Sequence, residues 1–375
     1  MDQAVIKATK TSSLPHMPQL DALRAFAVLA VLLHHFINIK GLDFAFEGVK
    51  LFFVLSGFLI TGILLRGRET MAVAGKTWSS VIKNFYFRRA LRIFPLYYLL
   101  IFVGLILNLD PVRESLAWFL TYTLNIYMVN LGWYADNYAH FWSLAVEEQF
   151  YIVWPWIILF APRKWLIPVT ITFISVGPLF RFYGVTQDFG GLTTYISTPA
   201  CLDTLGMGAL LALVTHHGSK YSIDRFLRFF ALPVGLISSI LLIGRANDGA
   251  FLNLFTIFYD LALGLFFCWL INAAGQGFKG VAGAILESRP LTYIGKISYG
   301  IYIYHPFMPK LCTFIFSALG FEYPVNPFLT FMLPTLATFL IASVSFYAFE
   351  KPINDLKRYF SYREVPNVPA IPETA

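Results

Sequence analysis

What constrains this chain most is a succession of long apolar runs, near residues 20–38, 49–65, 93–109, 115–131, 146–161, 165–180, 199–215, 229–244, 251–272, 292–315 and 327–349. A run of roughly 18 or more apolar residues is long enough to cross the ~30 Å hydrocarbon core of a bilayer as a helix. Composition agrees: 57% of the residues are hydrophobic, 18% aromatic and only 13% charged, where an ordinary soluble domain carries roughly a quarter charged. The expected fold class is an all-α polytopic membrane protein embedded in a lipid bilayer.

The formal charge of +7 fits that class, because Lys and Arg gather in cytoplasmic loops. Without a helix-turn-helix, zinc or RNA-binding signature it gives no ground for nucleic-acid binding. Cys201, Cys268 and Cys312 all fall in apolar runs with no CxxC spacing. Neither a disulfide framework nor a metal centre is expected, and the three read as small core residues.

Charge also orders the runs. Residues 1–19 form a polar cytoplasmic lead, with Lys7 and Lys10 and no small-residue cleavage site after the first apolar run, so no removable signal peptide is expected. The basic clusters from Arg66 to Arg92 and at Arg163–Lys164 both belong on the cytoplasmic face, which requires an even number of crossings between them, yet three apolar runs intervene. The expected exception is 115–131, SLAWFLTYTLNIYMVNL, short and carrying Thr121, Thr123 and Asn125. It reads as a re-entrant or non-spanning segment sheltered by protein. About ten transmembrane helices then remain, with both termini cytoplasmic. Lys40, Lys50, Arg113, Arg181, Arg245 and Lys310 are the only basic residues read as outer or within spans. Residues 20–350 make up the membrane domain, and 351–375 a basic, then Pro-rich, cytoplasmic tail.

Ionisable groups inside a spanning helix cost several kcal/mol unless a partner or polar cavity receives them, which makes them candidates for function. In LDALRAFAVLAVLLHHF, residues 20–36, Arg24 and His35 are eleven residues apart. At about 100° and 1.5 Å per residue they leave the same helix face roughly 16 Å apart. That spacing puts an arginine near one surface and an imidazole near mid-depth, opening on one passage. His34, turned away from that stripe, reads as a packing residue.

Arg88, Arg89 and Arg92, in RRALRIFPLYY, open the third long helix. Guanidinium forks suit the phosphates of a nucleotide-like donor and equally suit lipid headgroups. No Gly-rich phosphate loop is present, so side chains would have to hold a nucleotide. HFWSLAVEEQFYIVWP, residues 140–155, sets Glu147 beside Glu148. Adjacent helical positions diverge by about 100°, so at most one is expected to face a given partner, with Arg24 or a protonated His35 as the available cation. Ser143 is a candidate hydrogen-bond donor, and His140 reads as an interfacial histidine. Ser56–Gly57 lacks the G-x-S-x-G pattern of a nucleophile elbow and reads as a close helix contact. ISYGIYIYHPF, residues 297–307, supplies Tyr299 and His305 as candidate site-lining groups, with Glu148 and Ser143 completing that set. Tyr302 and Tyr304 read as interfacial anchors.

Residues 20–36, 49–62, 86–98, 140–155, 295–307 and 343–353, in that order, resemble the bacterial acyltransferase 3 family of integral-membrane O-acyltransferases. The likeness rests on the Arg24–His35 spacing, the RxxR at Arg89 and Arg92, and WSLAVEEQFY. It implies a multi-pass protein of the bacterial inner membrane, without the periplasmic hydrolase-like domain fused to some members. It also implies an acyl-CoA co-substrate, acetyl-CoA most often, with no permanently bound cofactor and no metal. The acceptor it implies is a hydroxyl of a carbohydrate or glycolipid of the envelope or of an exported glycan. Carried onto this sequence, His35 is the implied catalytic histidine, acting as general base or transient acyl carrier. Arg24 is its companion, Arg89 and Arg92 bind donor with Arg88 beside them, and Glu147 is a site carboxylate. The alternative is a secondary transporter or flippase with Arg24, His35 and Glu147 as a proton relay, although no internal repeat is evident. A membrane scaffold needs no charged stripe within a span, and the sequence assigns no oligomeric state.

Overall fold

The computed structural model describes residues 17–37, 44–75, 77–132, 136–217, 220–244 and 249–360. The polar lead and the end of the tail, with the expected cytoplasmic position of both termini, lie outside the described residues. Among the described residues there are helices and no strand. In chain order the helices are α1 (Pro18–Ile37), α2 (Phe44–Ala74), α3 (Trp78–Ile106), α4 (Asp110–Glu114), α5 (Leu116–Leu120), α6 (Leu124–Leu131), α7 (Phe141–Phe160), α8 (Arg163–Thr186) and α9 (Gly190–Ile196). They continue as α10 (Thr198–His217), α11 (Lys220–Phe226), α12 (Leu232–Gly244), α13 (Gly249–Gln276), α14 (Gly280–Leu286), α15 (Arg289–Tyr304), α16 (Met308–Ala318), α17 (Pro327–Ser345) and α18 (Lys351–Asp355). Seven helical stretches among the described residues are long and apolar enough to cross a membrane. The outward faces carry exposed Phe102, Ile106, Phe182, Ile240 and Leu340, as lipid contact requires, since hydrocarbon chains rather than water cover them.

The run 115–131 does not form one helix. It is divided between α5 and α6, five and eight residues long, at Tyr122, whose φ of 55° lies in the left-handed region. A bulky residue there costs on the order of 1–2 kcal/mol, and Tyr122 recovers packing by stacking on Tyr97 with centroids 4.2 Å apart. Side chains satisfy the interrupted backbone. The Tyr97 and Tyr98 hydroxyls donate to the carbonyls of Phe119 and Leu120 at 2.8 and 3.1 Å, and Gln149 Nε2 donates to Tyr122 O at 2.8 Å. Asn125, only 1% exposed, donates to Thr198 Oγ1 at 3.0 Å.

The run 292–315, expected to be one helix, is broken between α15 and α16 by a tight turn at His305–Phe307. Pro306 lacks an amide hydrogen and its ring crowds the preceding turn, which ends the α-helix there. The close contact expected at Ser56–Gly57 is formed against α10. A Cβ on Gly57 would lie 2.0 Å from Leu205 O, and one on Gly208 would lie 2.0 Å from Val54 O, so α2 and α10 touch backbone to backbone. The three cysteines are buried and free.

Lys50 and Arg181, read from the sequence among outer or span charges, are buried in a closed quartet. Lys50 Nζ meets Asp260 Oδ2 at 2.6 Å, Arg181 Nη1 donates to the same oxygen at 2.9 Å, and Arg181 Nη2 pairs with Asp203. Two cations and two carboxylates cancel, tying α2, α8, α10 and α13 together.

Candidate active site

α1 and α15 run side by side in the same direction, because their contacts advance together. A Cβ on Gly295 would strike Asp21 O, Arg24 Nε donates to Ser298 Oγ at 3.4 Å, and the His35 and His305 rings lie 4.8 Å apart, edge to face. The common face expected for Arg24 and His35 is therefore the face packed on α15. Along α1, Arg24 lies in the second turn and His35 in the last.

A cavity of about 280 Å³ opens between α1, α2, α3, α7 and α15. Arg24, Arg89 and Arg92 line it together with Ser56, Glu147 and the Ser143–Tyr302 pair. Apolar residues of α2, from Val49 to Ile63, make up much of the remaining wall. The three guanidinium groups act on one another electrostatically. For two like charges about 6 Å apart at an effective dielectric near 20, the repulsion is roughly 3 kcal/mol. Arg89 is steadied by Tyr151, whose ring centroid is 4.2 Å from the guanidinium carbon. Arg24 feels Asp21 and, more weakly, Glu147.

Both glutamates line this cavity. Their partners differ: Glu147 Oε1 accepts from Ser56 Oγ at 2.7 Å, whereas Glu148 is buried and lies in the field of Arg89. Tyr299 also lines the cavity, its hydroxyl donating to Ile93 O at 2.7 Å. Arg88 lies elsewhere, donating through Nη1 to the carbonyls of Lys357 and Phe360, each at 3.4 Å.

His35 is not part of the cavity lining. Its Nδ1 lies 2.9 Å from Val31 O, and a carbonyl only accepts, so Nδ1 carries the proton and Nε2 the lone pair. Between His35 and the cavity stand His305 and Tyr302. His305 is fully buried and donates from Nδ1 to Tyr302 O at 2.7 Å. The Tyr302 hydroxyl is 2.6 Å from Ser143 Oγ and 3.0 Å from His140 O. His140, read as interfacial, is 7% exposed and packs on His305 with centroids 5.3 Å apart. Burial, reinforced by the His35 imidazole, lowers His140 to about 3, so this ring, which precedes α7, stays neutral and donates from Nε2 to Ile303 O at 3.2 Å. Ser298, Tyr302 and His305 stand at i, i+4 and i+7, a helical stripe whose spacing was a signal the sequence reading did not use; the contacts turn it toward Arg24 and His35. The Ser56 and His140 contacts join distant segments and leave no such mark.

A bundle of apolar helices around a cavity lined by three arginines, two glutamates and several hydroxyls defines a multi-pass membrane protein with an internal polar site. The family model for the Acyltransferase domain of the acyltransferase 3 type matches residues 17–348, and the chain belongs to that family. O-acetyltransferase OatA of Staphylococcus aureus (strain NCTC 8325 / PS 47) is 28% identical over 377 residues, covering 90% of this chain and 57% of the relative. SAS0844 of S. aureus (strain MSSA476), provisionally designated an O-acetyltransferase, is 29% identical over 330 residues, covering 79% of this chain and 51% of the relative. The chain thus spans about half the length of the curated relatives it matches. No solved structure matches it.

Proposed function

We propose that this family member is an O-acyltransferase of the bacterial inner membrane, specifically an O-acetyltransferase. It takes the acetyl group of acetyl-CoA at the cytoplasmic face and transfers it to a hydroxyl of an envelope or exported glycan or glycolipid. The family match and the names of the relatives support the reaction class. The observation that carries the donor assignment is the cavity that Arg24, Arg89 and Arg92 line together, each within the others' field. Guanidinium groups that repel one another hold phosphate oxygens well, and the apolar wall beside them suits the arm that carries a thioester. In this reading the chain crosses ten times, by α1, α2, α3, α7, α8, α10, α12, α13, α15 with α16, and α17, with both termini cytoplasmic, which would set the arginines toward the inner face.

In this reading the acceptor oxygen attacks the thioester carbonyl carbon and its proton passes to His35 Nε2. The carbon–sulfur bond breaks, and the departing CoA sulfur takes a proton from the imidazolium. Val31 O holds the ring in the basic tautomer, which is what general-base catalysis needs. Arg24 steadies α1 against Ser298 while facing the donor phosphates, and Glu147 is held by Ser56. Because Tyr302 and His305 stand between His35 and the cavity, the proton transfer to His35 requires both side chains to move. In vesicles, the purified His35→Ala variant should lose on the order of 10²–10⁴-fold in acetyl transfer while keeping its unfolding temperature. Full transfer by that variant removes the assignment.

A further inference from the structure

Beyond α18 the chain makes a final tight turn, Leu356–Phe360, that folds back onto α3. Arg88 holds it by two backbone carbonyls, those of Lys357 and Phe360, at 3.4 Å each. The Phe360 ring lies flat on Phe87, with centroids 4.7 Å apart and planes 9° from parallel. Within this turn Leu356, Arg358 and Tyr359 are exposed and Lys357 is half-buried. The turn sets Lys357 against the helix that carries Arg88, Arg89 and Arg92, and the charges acting on it most strongly, those of Arg92, Arg89, Arg88 and Arg24, are all positive. Arg89 and Arg92 line the cavity and their neighbours Arg88 and Lys357 do not, so the basic cluster continues outside the lining. A chain gains nothing by docking a lysine against four arginines unless a multiply charged anion occupies the space between them.

We infer that Lys357 belongs to the donor site and takes the outermost phosphate of acyl-CoA, the one on the ribose 3′ oxygen. This rests on the O-acyltransferase reading. With the thioester in the cavity and the diphosphate at Arg24, Arg89 and Arg92, the 3′-phosphate falls farthest from the reacting carbon, outside the lining, where Lys357 lies. An anionic lipid headgroup offers the same phosphate chemistry, and the test separates the two sources.

The full-length protein and its Lys357→Gln variant, in phosphatidylcholine vesicles, are compared with acetyl-CoA and with acetyl-3′-dephospho-CoA. The unaltered protein should prefer the 3′-phosphorylated donor roughly tenfold in kcat/KM, through KM, the scale of one charge-assisted contact at a partly exposed site. In Lys357→Gln that preference should fall close to one, and Lys357→Arg should restore it, which a misfolded chain would not do. A preference that persists in Lys357→Gln, or that is missing from the unaltered protein, overturns the inference while leaving the acyltransferase reading intact. Failure of the unaltered protein to transfer from either thioester overturns both. An effect of Lys357→Gln seen only when phosphatidylglycerol is present assigns the lysine to lipid and overturns the donor role.

Discussion

Replacing Arg181 with Met leaves two buried carboxylates, Asp203 and Asp260, facing one cation, Lys50. The guanidinium also donates from Nε and Nη2 to Ile257 O at 3.2 and 3.0 Å and from Nη1 to Ala200 O, so five hydrogen bonds disappear with it. Breaking one side of a buried ion pair costs about 3–5 kcal/mol, because the remaining charge stays desolvated. At ~2 °C per kcal/mol for a chain of this size, that is a fall of roughly 6–10 °C in unfolding temperature. Thermal unfolding of the monodisperse detergent-solubilised protein, followed by intrinsic fluorescence, reads it. The double variant Arg181→Met/Asp203→Leu removes one cation with one anion and spares the Lys50–Asp260 pair at 2.6 Å. It should recover at least half of the loss. If the double variant is as unstable as the sum of its parts, charge imbalance is not the cause and the reasoning fails.

Gly57→Ala forces a methyl to within 2.0 Å of Leu205 O and should abolish folded yield, whereas Gly62→Ala, with nothing within 4 Å, should be neutral or stabilising by up to ~1 kcal/mol; size-exclusion profiles compare them. Arg89→Lys keeps the charge but loses the planar stack on Tyr151 and, in the proposed donor site, the two-pronged grip on phosphate, so on that proposal KM for acetyl-CoA should rise roughly tenfold with less change in kcat. His140 titrates near 3 in the folded chain and near 6.5 once unfolded. Between those values the unfolded chain binds the extra proton, so this stability is complete above about pH 6.5 and is lost as pH falls. The unfolding temperature should drop from pH 7 to pH 5, and less so in His140→Gln; equal slopes would contradict the assignment.

Helices and their common faces were legible because apolar periodicity is a property of one segment at a time. Arg24 and His35 do share the face that α15 covers, and 115–131, singled out by its polar residues and by charge parity, is divided into short helices. What a single segment cannot reveal is its partner. Lys50 finds Asp260 across 210 residues, and nothing in the local pattern at either position separates a buried ion pair from a solvated charge. His140 looked interfacial because it precedes an apolar run, yet the folded chain closes Phe141, Tyr302 and His305 around it. Arg88 shares its face with Arg92, but the returning C-terminal turn claims it, and no helical-wheel argument contains that turn. The break at His305 was written in the sequence as Pro306; a proline inside a long apolar run is tolerated often enough that its position alone did not divide 292–315.

The hydroxyl pair of Ser143 and Tyr302, 2.6 Å apart, closes the cavity on the side of the histidines. An energised bilayer stores its voltage only while nothing short-circuits it, and an aqueous channel through an abundant protein would discharge the proton gradient continuously. With that bolt drawn across, a hollow inside the bundle does not become a leak, and the insulation of the membrane is kept.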